Sequence, residues 1–170
     1  MIEIKENLAP TGYKCRSGEK RTDFIGITVH NTANYNKRAN AINHSIYLHN
    51  DGKDETVSWH YVIDDKRAVR CIPEDEVAWG AGNHDGNYKT INIEICVNSD
   101  GNLLQATNNA VILCADILFR NNKRNASECL FQHNHWTDKN CPAEIRKNNP
   151  YSWHTFVKNV QNLLKKYYNY

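Results

Sequence analysis

Between Thr90 and Val97 the chain alternates: Ile91, Ile93, Ile95 and Val97 fall on one side, and Asn92, Glu94 and Cys96 on the other. A period of two in β-branched residues is a strand with one face in an apolar core and a polar face turned elsewhere. So dense an isoleucine face has to be covered, and two amphipathic segments supply the cover. From Leu103 to Phe119 the residues Leu103, Thr107, Ala110, Val111, Cys114 and Leu118 share one helical stripe. A last helix from about Tyr151 carries Phe156, Val160, Leu163 and Leu164, with Ser152 placed to cap it. Upstream, Phe24–His30 reads as a buried strand, and Arg38–His49 as a helix stopped by Asp51-Gly52. Ser58–Ile63 and Ala68–Ile72 read as a hairpin around Asp64-Asp65-Lys66. Ala78–Tyr88, with three glycines, reads as a loop, Phe131–Cys141 as polar and irregular, and residues 1–23 as an irregular arm. Strands interleaved with helices give an α/β domain, a central sheet covered by helices. A length of 170 residues suits a single domain, 1–170.

Composition narrows the partners. The formal net charge is only +2, with 24% charged residues and no basic block, so no nucleic-acid partner is expected. No stretch approaches ~20 consecutive apolar residues, so no membrane insertion is expected. Met1-Ile2-Glu3-Ile4-Lys5-Glu6 lacks an apolar core of the secretory type, which predicts no signal peptide. The six cysteines are even in number, but a chain made without a leader is expected to keep them reduced. Cys96 and Cys114 sit inside apolar runs and read as buried free thiols.

Three residues have the chemistry of a metal site. His30 ends the first strong strand, where α/β sheets place ligands. His133 and Cys141 lie together further on, with seven residues between them. Two imidazoles and a thiolate suit zinc, and a three-ligand set leaves a fourth position for water. The residues alone favour a structural histidine over a ligand, because His-x7-Cys is no strict zinc-finger spacing and no CxxC is present. Glu94, on the polar face of an isoleucine-rich strand, is a candidate general base and acid.

Gly26-Ile27-Thr28-Val29-His30-Asn31-Thr32 resembles the zinc-ligand strand of the second amidase family of peptidoglycan hydrolases. That family includes phage lysins, bacterial autolysins and the animal peptidoglycan recognition proteins. Ser58–Asp65, Ile91–Cys96 and Gln132–Pro142 resemble three further blocks of the family in the same order. The resemblance covers roughly Phe24 to Trp153, most of the chain. It implies a mixed central sheet flanked by helices. It also implies one Zn2+ held by His30, His133 and Cys141, and hydrolysis of the amide between N-acetylmuramic acid and L-alanine in peptidoglycan. Family spacing selects His133 over His135 as ligand.

The resemblance further gives Lys139 the stabilisation of the oxyanion and keeps Glu94 as the acid–base. Some branches use a tyrosine where this chain carries Trp59, which cannot exchange a proton. Tyr61 takes that place only if the register shifts, and His60 either orients a ligand or sits satisfied in the core. Trp59, Trp79 and His84 are the expected substrate contacts, with His44 a further candidate for lining the groove. Gly80 stands where relatives often carry histidine. The alternative is a peptidoglycan-binding module without catalysis on the same fold. Without a leader, a phage or prophage endolysin released to the wall is expected, with an extracellular autolysin as the other setting. No separate wall-binding domain falls within these residues.

Overall fold

The computed structural model describes residues 2–169. Six strands form one sheet: β1 (Glu3–Glu6), β2 (Gly26–Asn31), β3 (Tyr61–Ile63), β4 (Arg67–Arg70), β5 (Thr90–Ile95) and β6 (Leu130–Gln132). Their order is β1-β4-β3-β5-β2-β6. Only the β3–β4 hairpin is antiparallel and every other pairing is parallel, so the sheet is mixed. Seven helices surround it: α1 (Ala41–Asp51), α2 (His84–Lys89), α3 (Leu103–Arg120), α4 (Ala126–Cys129), α5 (His133–Trp136), α6 (Ala143–Arg146) and α7 (Trp153–Tyr167). Among the described residues no helix is long and apolar enough to cross a membrane.

The alternation along β5 settles which layer goes where. Ile91, Ile93 and Ile95 join Ile27 and Val29 in a core closed by α3, α4 and α7. The opposite face, with Val62, Val69 and Cys96, packs against α1 and the segment around Ala9 and Cys15. Each long helix starts on a side-chain cap: Asn40 accepts from Asn43 N, Asn102 from Gln105 N and Ser152 from Thr155 N. Asp64 ties the two layers together. Its Oδ1 accepts from the amides of Lys66 and Arg67 to shape the hairpin turn, and its Oδ2 accepts from Ala41 N at the start of α1. Its carbonyl accepts from Asn109 of α3. All six cysteines are free and buried.

Three segments depart from the expectation. The arm contains β1, an edge strand exposed throughout and held by Glu3–Arg67 and Glu6–Arg70 pairs. Three of its four residues, Glu3, Lys5 and Glu6, are charged, which suits a sheet edge and leaves no apolar face to read. The stretch read as a loop ends in α2, started by Asn83, which accepts from the amides of Asp85 and Gly86. The segment read as irregular is entered from β6 and contains α5. Elements of three to six residues are too short to show a period of their own.

Phe156 is fully buried where α7 closes the isoleucine core, and it lies in the layer opposite the cleft described below. Phe156→Ala is expected to cost ~3–5 kcal/mol in urea unfolding. Metal binding measured below the transition should be unchanged.

Candidate metal centre and its cleft

β2 and β5 pair in parallel with His30 opposite Glu94 and Thr28 opposite Asn92. Partners in register point to the same face, so His30 and Glu94 emerge side by side near the carboxyl ends of the two strands. β6 pairs with β2 through Val29 and Gln132, and the next residue, His133, begins α5 at the level of His30. The loop after α5 folds back on itself: Asn134 N donates to Cys141 O at 3.0 Å, and Cys141 N to Lys139 O at 2.8 Å. Arg146 clamps the loop, donating to Asn140 Oδ1 at 2.7 Å and Asn134 Oδ1 at 3.0 Å. These turns carry Cys141 to the two histidines.

His30 Nδ1 lies 3.0 Å from His133 Nδ1 and 3.8 Å from Cys141 Sγ. The donor atoms of the three residues all lie within 4.8 Å of one another, close enough to share one metal ion. The set is two imidazole nitrogens and one sulfur, a zinc-type combination. Burial pushes His30 down to about 3, with His133 and Lys139 adding to the effect, and pushes His133 down to about 4, again with Lys139 adding. Both rings are therefore neutral near pH 7, the form that coordinates. Burial raises the Cys141 thiol to about 11, with Glu94 adding, so without a cation the sulfur keeps its proton. The donors fit a divalent cation, and the thiol needs one to ionise.

Glu94 stands opposite His30 in the strand register, and its Oε2 is sealed from solvent without a hydrogen-bond partner. Burial pushes its carboxyl up to about 8 against the opposing pull of Lys139. A cleft of about 450 Å3 is lined by Glu94, Lys139 and Cys141 together with Trp59, His44 and Tyr47. Trp59 is nearly buried and meets the His44 ring edge-on at 6.2 Å.

The structure thus gathers His30, His133, Cys141, Glu94, Lys139 and Trp59 at one place. Trp79 and His84 do not line this cleft. Trp79 borders a separate depression with Lys14, Thr56 and Gly82. His84 has a side chain 71% exposed and stacks on Tyr88. The two depressions are neighbours, because a Cβ on Gly82 would lie 3.9 Å from His133 Nε2. Tyr61 is directed away, its hydroxyl donating to Glu74 at 2.6 Å. His135 is exposed and packs on Phe131 and Trp136, outside the donor cluster. His60 is a satisfied core residue between Asn92 N and Glu76 O. The residue that sequence reading passed over is Asn92, whose Oδ1 lies 3.0 Å from His30 Nε2. Its place on the polar face of β5 was the available signal, but only the β2–β5 register shows that it reaches His30.

Fold and site together define a class: an α/β domain with a mixed sheet and a two-histidine, one-cysteine cluster able to hold a metal at the ends of parallel strands. The chain belongs to the N-acetylmuramoyl-L-alanine amidase family, whose model matches residues 20–144. It is 38% identical over 147 residues to the N-acetylmuramoyl-L-alanine amidase XlyA of Bacillus subtilis, across 85% of this chain and 48% of that protein. It is 35% identical over 163 residues to CwlH of Bacillus subtilis, an enzyme of the same name, across 94% of this chain and 62% of that one. The chain thus spans about half to three-fifths of the length of these curated relatives. Among solved structures, a mutant endolysin from Bacillus subtilis superposes with a TM-score of 0.85 at 34% identity, covering 94% of this chain and 99% of that one.

The neutral histidines set the acid response of the metal-free protein. His30, His60 and His133 all have folded-state values below the ordinary 6.5. The unfolded chain therefore gains protons below pH 6.5 that the folded chain refuses, and stability present above pH 6.5 is lost as the pH falls toward 4. Glu94 acts in the opposite sense, since its raised value costs stability above about pH 4.5, but it is one group against three. Urea midpoints in chelator are expected to drop between pH 7 and pH 5, with a shallower drop in His133→Asn.

Proposed function

We propose that this chain hydrolyses the amide between the lactyl carbonyl of N-acetylmuramic acid and the nitrogen of L-alanine in peptidoglycan. One Zn2+ held by His30, His133 and Cys141 is the cofactor in this reading. The observation that carries it is the convergence of three zinc-type donors beside an unpartnered carboxylate, in a chain of the amidase family. Bound there, zinc would act as a Lewis acid toward the amide carbonyl and would bring the pKa of a water to about 7.

The chain's own residues handle protons and charge. Glu94 takes the proton from the attacking water as oxygen bonds to the carbonyl carbon. It returns that proton to the L-alanine nitrogen as the C–N bond breaks, leaving a lactyl carboxylic acid and a free amine, and the acid then gives up its remaining proton near neutrality. Its value of about 8 suits both directions of transfer near neutrality, and a neighbouring cation lowers it toward the ionised form a base requires. The Lys139 ammonium, in the same cleft, faces the negative charge that develops on the carbonyl oxygen. Trp59, with His44 and Tyr47, offers an aromatic wall to the substrate. A longer glycan or stem peptide reaches past Gly82 to Trp79 and His84. The setting we favour is lysis by a phage or prophage endolysin, in line with the likeness of this chain to the Bacillus subtilis endolysin.

Glu94→Gln is expected to keep zinc and lose at least ~100-fold in turnover, whereas Cys141→Ser loses both. Mass spectrometry of fragments released from purified walls checks this, with stem peptides bearing free L-alanine amino termini as the product. Wall binding without release by the wild type, or undiminished release by Glu94→Gln, overturns the assignment. Zinc uptake should also expel the thiol proton, since burial pushes the Cys141 thiol up to about 11 and holds both histidines neutral. In Glu94→Gln at pH 6, uptake should release about one proton per zinc into weak buffer.

A further inference from the structure

A histidine can coordinate through only one ring nitrogen while the other carries a hydrogen, and the partner of the second nitrogen decides which is which. For His30 that partner is Asn92, and the surroundings of Asn92 leave its amide a single orientation. Its Nδ2 lies 3.3 Å from the carbonyl oxygen of Gly86 in α2, a group that can only accept. The same carbonyl accepts from the Thr90 hydroxyl. Thr90 is in turn reached by Thr28 at 2.8 Å, and the Trp136 indole donates to Thr28 at 2.9 Å. With Nδ2 turned to Gly86, Oδ1 faces His30 Nε2 at 3.0 Å, and an amide oxygen also only accepts. The hydrogen therefore sits on Nε2, and Nδ1 presents its lone pair toward His133 and Cys141.

The backbone of Asn92 is held as firmly as its side chain. Its N–H donates to His60 Nδ1 at 2.9 Å, and its carbonyl accepts from His60 N at 2.9 Å. His60 Nε2 donates to Glu76 O at 3.0 Å, and the Glu76 carboxylate is gripped by Arg16 at 2.7 and 2.9 Å. Space matters too. A Cβ on Gly80 would lie 2.9 Å from Asn92 Oδ1 and 3.0 Å from Ser58 O, so a side chain there would drive the amide off His30.

We propose that Asn92 is a positioning residue that fixes His30 as the Nε2–H tautomer and so aims Nδ1 at the metal position, with Gly80 providing the room it needs. The inference rests on the reading of His30 as a ligand, and its test separates the two. The tautomer is read in the metal-free full chain from 15N–1H correlations of the imidazoles at pH 7.5, where no metal is involved. Zinc affinity is read separately by competition with a chromophoric chelator.

The wild type is expected to show His30 protonated on Nε2. Asn92→Leu removes the acceptor and should populate the other tautomer and weaken zinc binding by ~10–100-fold. Asn92→Asp keeps an acceptor oxygen for His30, with its protonated oxygen donating to Gly86, and should recover the Nε2–H form and most of the affinity. Gly80→Ala leaves Asn92 in place but displaces its amide, and should lose both in part. A structural role alone would not give this order of tautomers. An Nδ1–H His30 in the wild type overturns the proposal, as does an unchanged tautomer with unchanged affinity in Asn92→Leu. If that variant does not fold, an unchanged Gly80→Ala overturns it on both readouts. A wild type that takes up no zinc sinks the proposed cofactor, while the tautomer comparison still decides what Asn92 does to His30.

Discussion

The parallel pairing of β2 with β5, in the register that sets His30 beside Glu94, is the constraint on which the rest of the molecule depends. A shift of one residue would turn Ile91, Ile93 and Ile95 out of the core they share with α3 and α7. The same alternation that buries those isoleucines thereby commits Thr28, His30, Asn92 and Glu94 to the other face. Core formation and site formation are one event. The hydrophobic face selects the register, and the register delivers the polar groups.

That polar face is costly unless its groups are paired. Thr28, Thr90, Asn92 and His60 are all fully buried, and each finds a hydrogen-bond partner. Glu94 Oε2, by contrast, is sealed without one, as are Thr32 Oγ1 and Trp59 Nε1 of residues that line the same cleft. An unpaired carboxyl oxygen in a cleft, close to three zinc-type donors, is the observation behind the acid–base role proposed for Glu94. The satisfied groups fix the shape of the site, and in the proposed function Glu94 is the unpaired carboxylate that handles the proton. His44 and Tyr47 reach the same cleft from α1, which Asp64 fixes to the β3–β4 turn.

The sequence by itself determined the layers. The period of two over Thr90–Val97 and the helical stripes from Leu103 to Phe119 and from about Tyr151 specify a sheet with helices on its isoleucine face, and the elements found there are Thr90–Ile95, Leu103–Arg120 and Trp153–Tyr167. Strong periodicity survives because burial of a whole face outweighs local alternatives. The donors His30, His133 and Cys141 were visible as residue types, and their grouping came from resemblance to a family. Tertiary structure alone decided that they meet, since 103 residues separate the two histidines and only the β2–β6 pairing closes that distance. It also decided that Asn92 serves His30, that His60 is structural, and that Trp79 and His84 lie outside the cleft. β1, α2 and α5 were missed for a related reason: segments of four to six residues hold their shape through partners elsewhere in the chain. Periodicity records which face is buried, whereas a site depends on what lies across from a residue, and that is set by pairing between strands distant in sequence.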